Sequence, residues 1–235
     1  MMTKLNDYLE QHWATLAPSR AKETASYMLF GNGKQLRPQL VYAYGSFCGL
    51  TSAQCHPIAA AIECIHTYSL IHDDLPAMDN DDWRRGRPTA HRQFDEASAI
   101  LAGDLLQAFA FQLISTYPDL VTSFSHAATA LVAGQSWDIQ GTQAIKDIHE
   151  AKTGVLFAMC CALPAQLSQR SIDPAYDFGQ KIGVWYQMID DFKDREPNAP
   201  SSDDLEKQYT SLMQLAGHPS LIQLIETLHE QYTIH

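Results

Sequence analysis

Between His72 and Thr89 the chain reads HDDLPAMDNDDWRRGRPT. The run packs Asp73, Asp74, Asp79, Asp81 and Asp82 into ten residues, ahead of Arg84, Arg85 and Arg87. Carboxylates this close repel one another unless positive charge sits among them. An all-oxygen set suits a hard cation such as Mg²⁺, which keeps several waters and shares its other positions with substrate phosphates. Arginines beside the carboxylates then make chemical sense if a polyphosphate lies between, with the metal on one side and guanidinium forks on the other. A second acidic cluster, Asp190, Asp191 and Asp194, closes another apolar stretch. Either cluster alone also reads as a solvated acidic loop. Two of them, each following an apolar stretch, favour a metal–diphosphate site.

Other candidates lie outside the aspartate runs. Lys34 and Arg37 stand three apart in GlyLysGlnLeuArgPro, residues 33–38. Cations at a helix start oppose the macrodipole, which hints at an anion held there. His66 sits among apolar neighbours and, taken alone, reads as a satisfied core histidine ahead of a ligand-binding one. Lys152-Thr153-Gly154 interrupts an apolar helix. A kink there would release a backbone carbonyl and turn Thr153 into a cavity. Gln187, Asp190, Asp191 and Asp194 fall on neighbouring helical turns.

Helices must position these groups, because the apolar pattern is helical throughout. Strand alternation, NG hairpins and a GxGxxG turn are missing. The expected helices cover about Lys4–Leu16, Arg20–Phe30, Pro38–Gly45, Pro57–His72, Ala97–Ile114, Leu120–Ile139 and Asp147–Leu167. Three more follow: one capped by Asp173 and running from Pro174 to Asp194, then Asp203–Ala216 and Pro219–Gln231. Arg195 to Asp203 reads as a loop. With 235 residues and 46% hydrophobic content, the chain suffices for one all-α domain over residues 1–235. The net charge of −11 argues against nucleic acid as a partner. Five cysteines without a CxxC pair point to reduced thiols rather than disulfides or zinc. No apolar run approaches a membrane span and the N-terminus lacks a signal-peptide core, so a soluble cytoplasmic protein is expected.

From about Phe30 to Asp194 the chain resembles the trans-isoprenyl diphosphate synthases, in particular the bacterial farnesyl diphosphate synthase branch. The resemblance rests on GNGKQLRP, ECIHTYSLIHDDLPAMDNDDWRRGRPTAH, ILAGDLLQ, GQSWD, HEAKTG and the DDxxD of Asp190 to Asp194, in the family's order. It implies an antiparallel helix bundle with a deep central cavity and the two aspartate motifs facing across its mouth. Asp73, Asp74 and Asp79 would hold Mg²⁺ on one side and Asp190, with Asp191 and Asp194 nearby, on the other. About three ions would sit beside bound diphosphate. Arg84, Lys152 and Gln187 would contact the allylic substrate, dimethylallyl or geranyl diphosphate. Lys34, Arg37, His66 and Arg85 would bind isopentenyl diphosphate. Ionisation of the allylic ester would give a carbocation supported by the Lys152 carbonyl, Thr153 and Gln187. The leaving pyrophosphate would remove the final proton, and the lack of a Ser-His-Asp or Cys-His arrangement accords with that. Tyr68, five residues before Asp73, reads either as the floor that limits product length or as core packing. A homodimer is implied as well.

The chain also departs from that pattern. It is shorter than most members between Gln107 and Gln135 and beyond Asp194. ArgGluProAsnAlaPro replaces the usual Gly-Asp stretch and glycine-lysine pair, Lys193 replaces an apolar residue, and Lys207 is the match left for a later lysine. Alternatives are therefore a geranyl diphosphate synthase or a weakened homologue serving as a binding or regulatory subunit. Intact aspartates and cations favour the enzyme. A terpene cyclase would need no site at Lys34, Arg37 and His66.

Overall fold

A computed structural model describes residues 2–31, 33–144, 147–148, 150–195 and 199–233, without the side chains at 2–3, 194 and 231–233. Asn32, His149 and residues 196–198, which fall in the GNGKQLRP and HEAKTG motifs and in the expected loop after Asp194, lie outside it. The described chain is all-α apart from one short hairpin and divides into two compact units, Met1–Pro38 with His56–Val121, and Gln39–Cys55 with Thr122–His235.

The first unit contains α1 (Met2–Trp13), α2 (Arg20–Leu29), the start of α3 (Leu36–Phe47) and most of α4 (Ser52–Asp73). Then come β1 (Trp83–Arg84), β2 (Arg87–Pro88), α5 (Ala90–Gln93) and α6 (Glu96–Ile114). Side chains fix several helix starts. Ser19 Oγ accepts the Lys22 amide at 3.1 Å, and the Asp95 carboxylate accepts the Ser98 amide at 2.7 Å. Helix α4 begins at Ser52, five residues ahead of the proline expected to open it. The Thr51 hydroxyl caps the Gln54 amide at 3.3 Å, so the helix is nucleated before Pro57 and runs on through it. Ile58, Ile62, Ile65 and Ile71 of α4, with Leu106 of α6, are fully buried, and Trp13 meets Phe109 edge-on at 5.0 Å.

The sequence hid two features of this unit. The hairpin pairs Trp83 with Pro88 and Arg84 with Arg87, and its turn has φ of 53° at Arg85 and 74° at Gly86. Positive φ at both central residues is the primed turn that joins two-residue hairpins, where glycine costs nothing. Helix α6, against the expectation that no run approaches a membrane span, has 19 residues and a mean hydropathy of 1.5. Half of that apolar window is buried inside the fold. Gly103 lies so close under the His72 ring that a Cβ would overlap it. A core helix has these properties.

The second unit contains most of α7 (Val121–Gln140), a π-helical turn (Glu150–Gly154), α8 (Val155–Leu167) and α9 (Ile172–Asp194), followed by α10 (Ser202–Ala216) and α11 (Pro219–Thr233). Helix α8 is buried from Val155 to Ala165, as a helix apolar on every face must be. Helix α9 lies on it through Gly179 and Gly183. A Cβ at Gly183 would stand 2.9 Å from Phe157 Cβ, and one at Gly179 would overlap the Phe157 carbonyl oxygen. Asp173 does not cap α9, as the sequence suggests. The helix starts earlier, with Ser171 at the cap and Asp173 inside the first turn, where a carboxylate complements the dipole and Pro174 lacks an N–H that would be unpaired anyway. Ser201 and Asp204 form a reciprocal capping box at the start of α10.

Candidate active site

The end of α4 carries the first acidic group. Asp73 is its last residue, and Asp73 and Asp74 are 8% and 0% exposed. The chain then folds back tightly. The Asp79 amide donates to the Asp73 carbonyl at 2.9 Å and the Asn80 amide to the Leu75 carbonyl at 3.1 Å, which brings the exposed Asp79 beside the helix end. Arg84 Nε donates to Asp74 Oδ1 at 2.6 Å while Nη2 reaches Asp81 Oδ2 at 3.2 Å. Asp74 Oδ2 is buried without a hydrogen bond. Burial pushes the Asp74 carboxyl up to about 6, against the pull of Arg84 and with a further push from Asp81 and Asp73. Asp82 is taken by Arg92 and points elsewhere.

A cationic group lies in the same unit. Arg37 Nη1 donates to His66 Nε2 at 3.0 Å. An arginine can only donate, so this ring nitrogen accepts and the imidazole is neutral. Burial, then the charges of Arg37, Arg85 and Arg84, hold it well below the usual histidine range. The Arg85 guanidinium packs over Gly33, where a Cβ would overlap it, and so stands beside the stretch that carries the exposed Lys34. Arg84, Arg85 and Arg87 line a cleft with Tyr27, Met28, Gly31, Thr67 and Leu70. Arg87 stacks on the Tyr27 ring at 3.9 Å.

Tyr68 is 6% exposed and lies deeper along α4 than Asp73, with its ring edge-on to His72 at 5.6 Å. Burial and the Asp73 charge raise its phenol, and Gln107 partly offsets this. His72 Nε2 donates to the Ile100 carbonyl at 3.0 Å, which ties the residue before the aspartate pair to α6.

In the second unit the irregularity expected at Lys152 is the π-helical turn, a form frequent at functional sites. Lys152 Nζ donates to Asp138 Oδ2 at 2.8 Å, and both groups keep partial exposure. Thr153 follows on the same turn. On α9, Gln187 Nε2 donates to Asp191 Oδ1 at 2.8 Å, with Asp190 half-buried beside them. The Asp194 side chain is outside the description. Lys207 stands exposed on α10 with Nζ 3.4 Å from Asp204 Oδ1, and no described bond joins it to Lys152, Gln187 or Asp190.

The donor chemistry fits a divalent cation at the first cluster. Asp74 offers a buried, unsatisfied carboxylate oxygen, Asp73 adjoins it, and Asp79 is folded back next to them. Among the described residues no three His, Cys, Asp or Glu side chains close into a cage. Mg²⁺ commonly binds through one or two carboxylates and takes water and phosphate oxygens at its other positions. Sequence reasoning passed over Asp138, although it closes the quoted GQSWD run, and Glu63, a carboxyl inside the apolar α4.

The polyprenyl synthetase family model matches residues 18–228. The farnesyl diphosphate synthase of Haemophilus influenzae is 37% identical over 92% of this chain and 84% of its own. That of Geobacillus stearothermophilus is 36% identical over 92% and 81%. Among solved structures, a geranyltranstransferase from Thermotoga maritima superposes with a TM-score of 0.92 at 28% identity, covering 100% of this chain and 98% of that one. A geranyltransferase from Legionella pneumophila gives 0.84 at 31%, covering 98% and 94%. The matched span takes in the aspartate pair, the arginine hairpin, the π-turn lysine and the second acidic helix end, and on that ground the chain belongs to the polyprenyl synthetase family.

Proposed function

We propose that the protein condenses isopentenyl diphosphate with an allylic diphosphate, first dimethylallyl and then geranyl, to give farnesyl diphosphate in two rounds. The names of its relatives support this. The observation that carries it on this chain is the paired provision of the first unit, a buried carboxylate pair beside a separate cluster of cations. Asp73, Asp74 and Asp79, and on α9 Asp190 and Asp191, would hold Mg²⁺, which when bound neutralises the charge developing on departing pyrophosphate.

The chain's own residues do the rest. Arg84 exchanges its carboxylate partners for phosphate oxygens, and Lys152 does the same from Asp138, so each cation starts from an ordered ion pair. The Thr153 hydroxyl and the Gln187 amide oxygen face the allylic cation as dipoles. Lys34, Arg37, Arg85 and the neutral His66 hold the diphosphate of isopentenyl diphosphate. The ester C–O bond breaks first and its electron pair leaves with pyrophosphate. The isopentenyl double bond then attacks the allylic cation, and pyrophosphate takes the proton whose loss restores a double bond. A single catalytic domain, working in the cytoplasm as a homodimer, belongs to the same reading. The exposed Ile100 and Leu101 of α6 support the dimer, and a solution mass of about twice 26.3 kDa checks it. The functional test is pyrophosphate release, expected only when Mg²⁺ and both substrates are present. Release without isopentenyl diphosphate would mean hydrolysis or cyclisation instead.

A further inference from the structure

Beneath the cationic cluster lies a carboxyl that no step above uses. Glu63 is 3% exposed and sits on α4 one turn before His66, on the same helical face. His66 is the residue that Arg37 reaches, and Arg85 arrives from the hairpin turn over Gly33. Arg37 thus meets α4 directly, and Arg85 lines one cleft with Thr67 and Leu70 of the same helix. Without a counter-charge the two guanidinium groups repel each other and Lys34, and each gains by swinging out to water. His66 cannot serve, because it is neutral. A buried carboxyl is itself costly unless cations face it. Burial raises the Glu63 carboxyl, and Arg37 and then Arg85 pull it back, so these are the charges that act on it.

We propose that Glu63 is a positioning residue for the isopentenyl diphosphate site, a buried carboxylate that keeps Arg37 and Arg85 side by side to meet the incoming diphosphate. The inference rests on reading that cluster as the isopentenyl diphosphate site. The carboxylate does not touch substrate. Its negative charge makes the prearranged guanidinium pair tolerable, and diphosphate then binds to that pair.

Steady-state kinetics on Glu63→Gln test this, since the amide keeps the volume and removes the charge. The KM for isopentenyl diphosphate should rise about tenfold, while kcat and the allylic KM stay within about twofold. In an Arg37→Ala background the same change should add little, because the two side chains act as one unit. Inorganic pyrophosphate binding by calorimetry should weaken in parallel and needs no turnover. Glu63→Asp, which retains the charge, should lose less, and it provides the reading if the amide variant does not fold. An unchanged isopentenyl diphosphate KM, equal rises for both substrates, or full additivity with Arg37→Ala would overturn the assignment. A wild-type protein that consumes no isopentenyl diphosphate defeats the functional reading instead. In that case pyrophosphate affinity still decides on Glu63: about tenfold loss in Glu63→Gln supports it, and no loss overturns it.

Discussion

Arg84 divides its guanidinium between Asp74 and Asp81, and Lys152 is paired with Asp138. In the proposed reading these cations reach diphosphate only by leaving their carboxylates. Asp73→Ala or Asp190→Ala should lower turnover by about a hundredfold or more with the helical signal intact, because in the proposed reading each removes an oxygen donor for Mg²⁺. Near-normal turnover in a Mg²⁺ titration of either variant counts against the two-cluster account. Arg37→Ala should raise the isopentenyl diphosphate KM more than the allylic KM, and Lys152→Ala should do the reverse. Equal effects on both constants would dissolve the division into two sites. At this scale the sequence was readable wherever a charge broke a pattern. Paired aspartates, three arginines and a lysine inside an apolar helix announce themselves. Asp138 and Glu63 do not, because a lone carboxylate in an apolar run shows its purpose only once folding brings a cation to it.

Helix boundaries were legible to within a few residues, and the misses have physical causes. Pro57 looks like a start but lies inside α4, because Thr51 caps the helix ahead of it. Asp173 looks like a cap but serves in the first turn. The hairpin at Trp83–Pro88 was invisible, since two-residue strands have no alternation to read and only the Arg-Gly turn marks it. Close helix contact through Gly179 likewise has no periodic signature. Gly179→Ala should destabilise by about 1–3 kcal/mol despite a propensity gain of about 1 kcal/mol, because the new methyl meets Phe157 backbone rather than a movable side chain. Thermal melts with unchanged or raised midpoints would show that α8 and α9 adjust freely. Helix α4 also sets a ruler. At 1.5 Å per residue, Tyr68 lies roughly 7.5 Å deeper than Asp73. Tyr68→Ala should cost about 2–4 kcal/mol of stability as a buried aromatic. If Tyr68 is the floor, products should also lengthen to twenty carbons or more. A folded variant that still stops at fifteen leaves Tyr68 as core packing alone.

At the scale of the molecule, the all-α class was legible because apolar residues recur with helical spacing over the whole chain. The division into two compact units was not, since the dividing lines fall within α3, α4 and α7 and no linker marks them. The net charge of −11 coexists with a concentration of cations around Lys34, Arg37, Arg84, Arg85 and Arg87, a distribution that suits a small polyanion better than a nucleic acid. All five cysteines are buried, as their apolar surroundings suggested, and burial pushes Cys55 up to about 11 with a further push from Cys48. The chemistry asked of this molecule is the making of one carbon–carbon bond between two diphosphates. The most direct measurement incubates the purified protein with Mg²⁺, isopentenyl diphosphate and dimethylallyl diphosphate and identifies the products by mass after dephosphorylation. The account predicts farnesol, the fifteen-carbon alcohol, with none formed when Mg²⁺ is chelated. Both substrates recovered unchanged from a folded, Mg²⁺-supplied protein would contradict it.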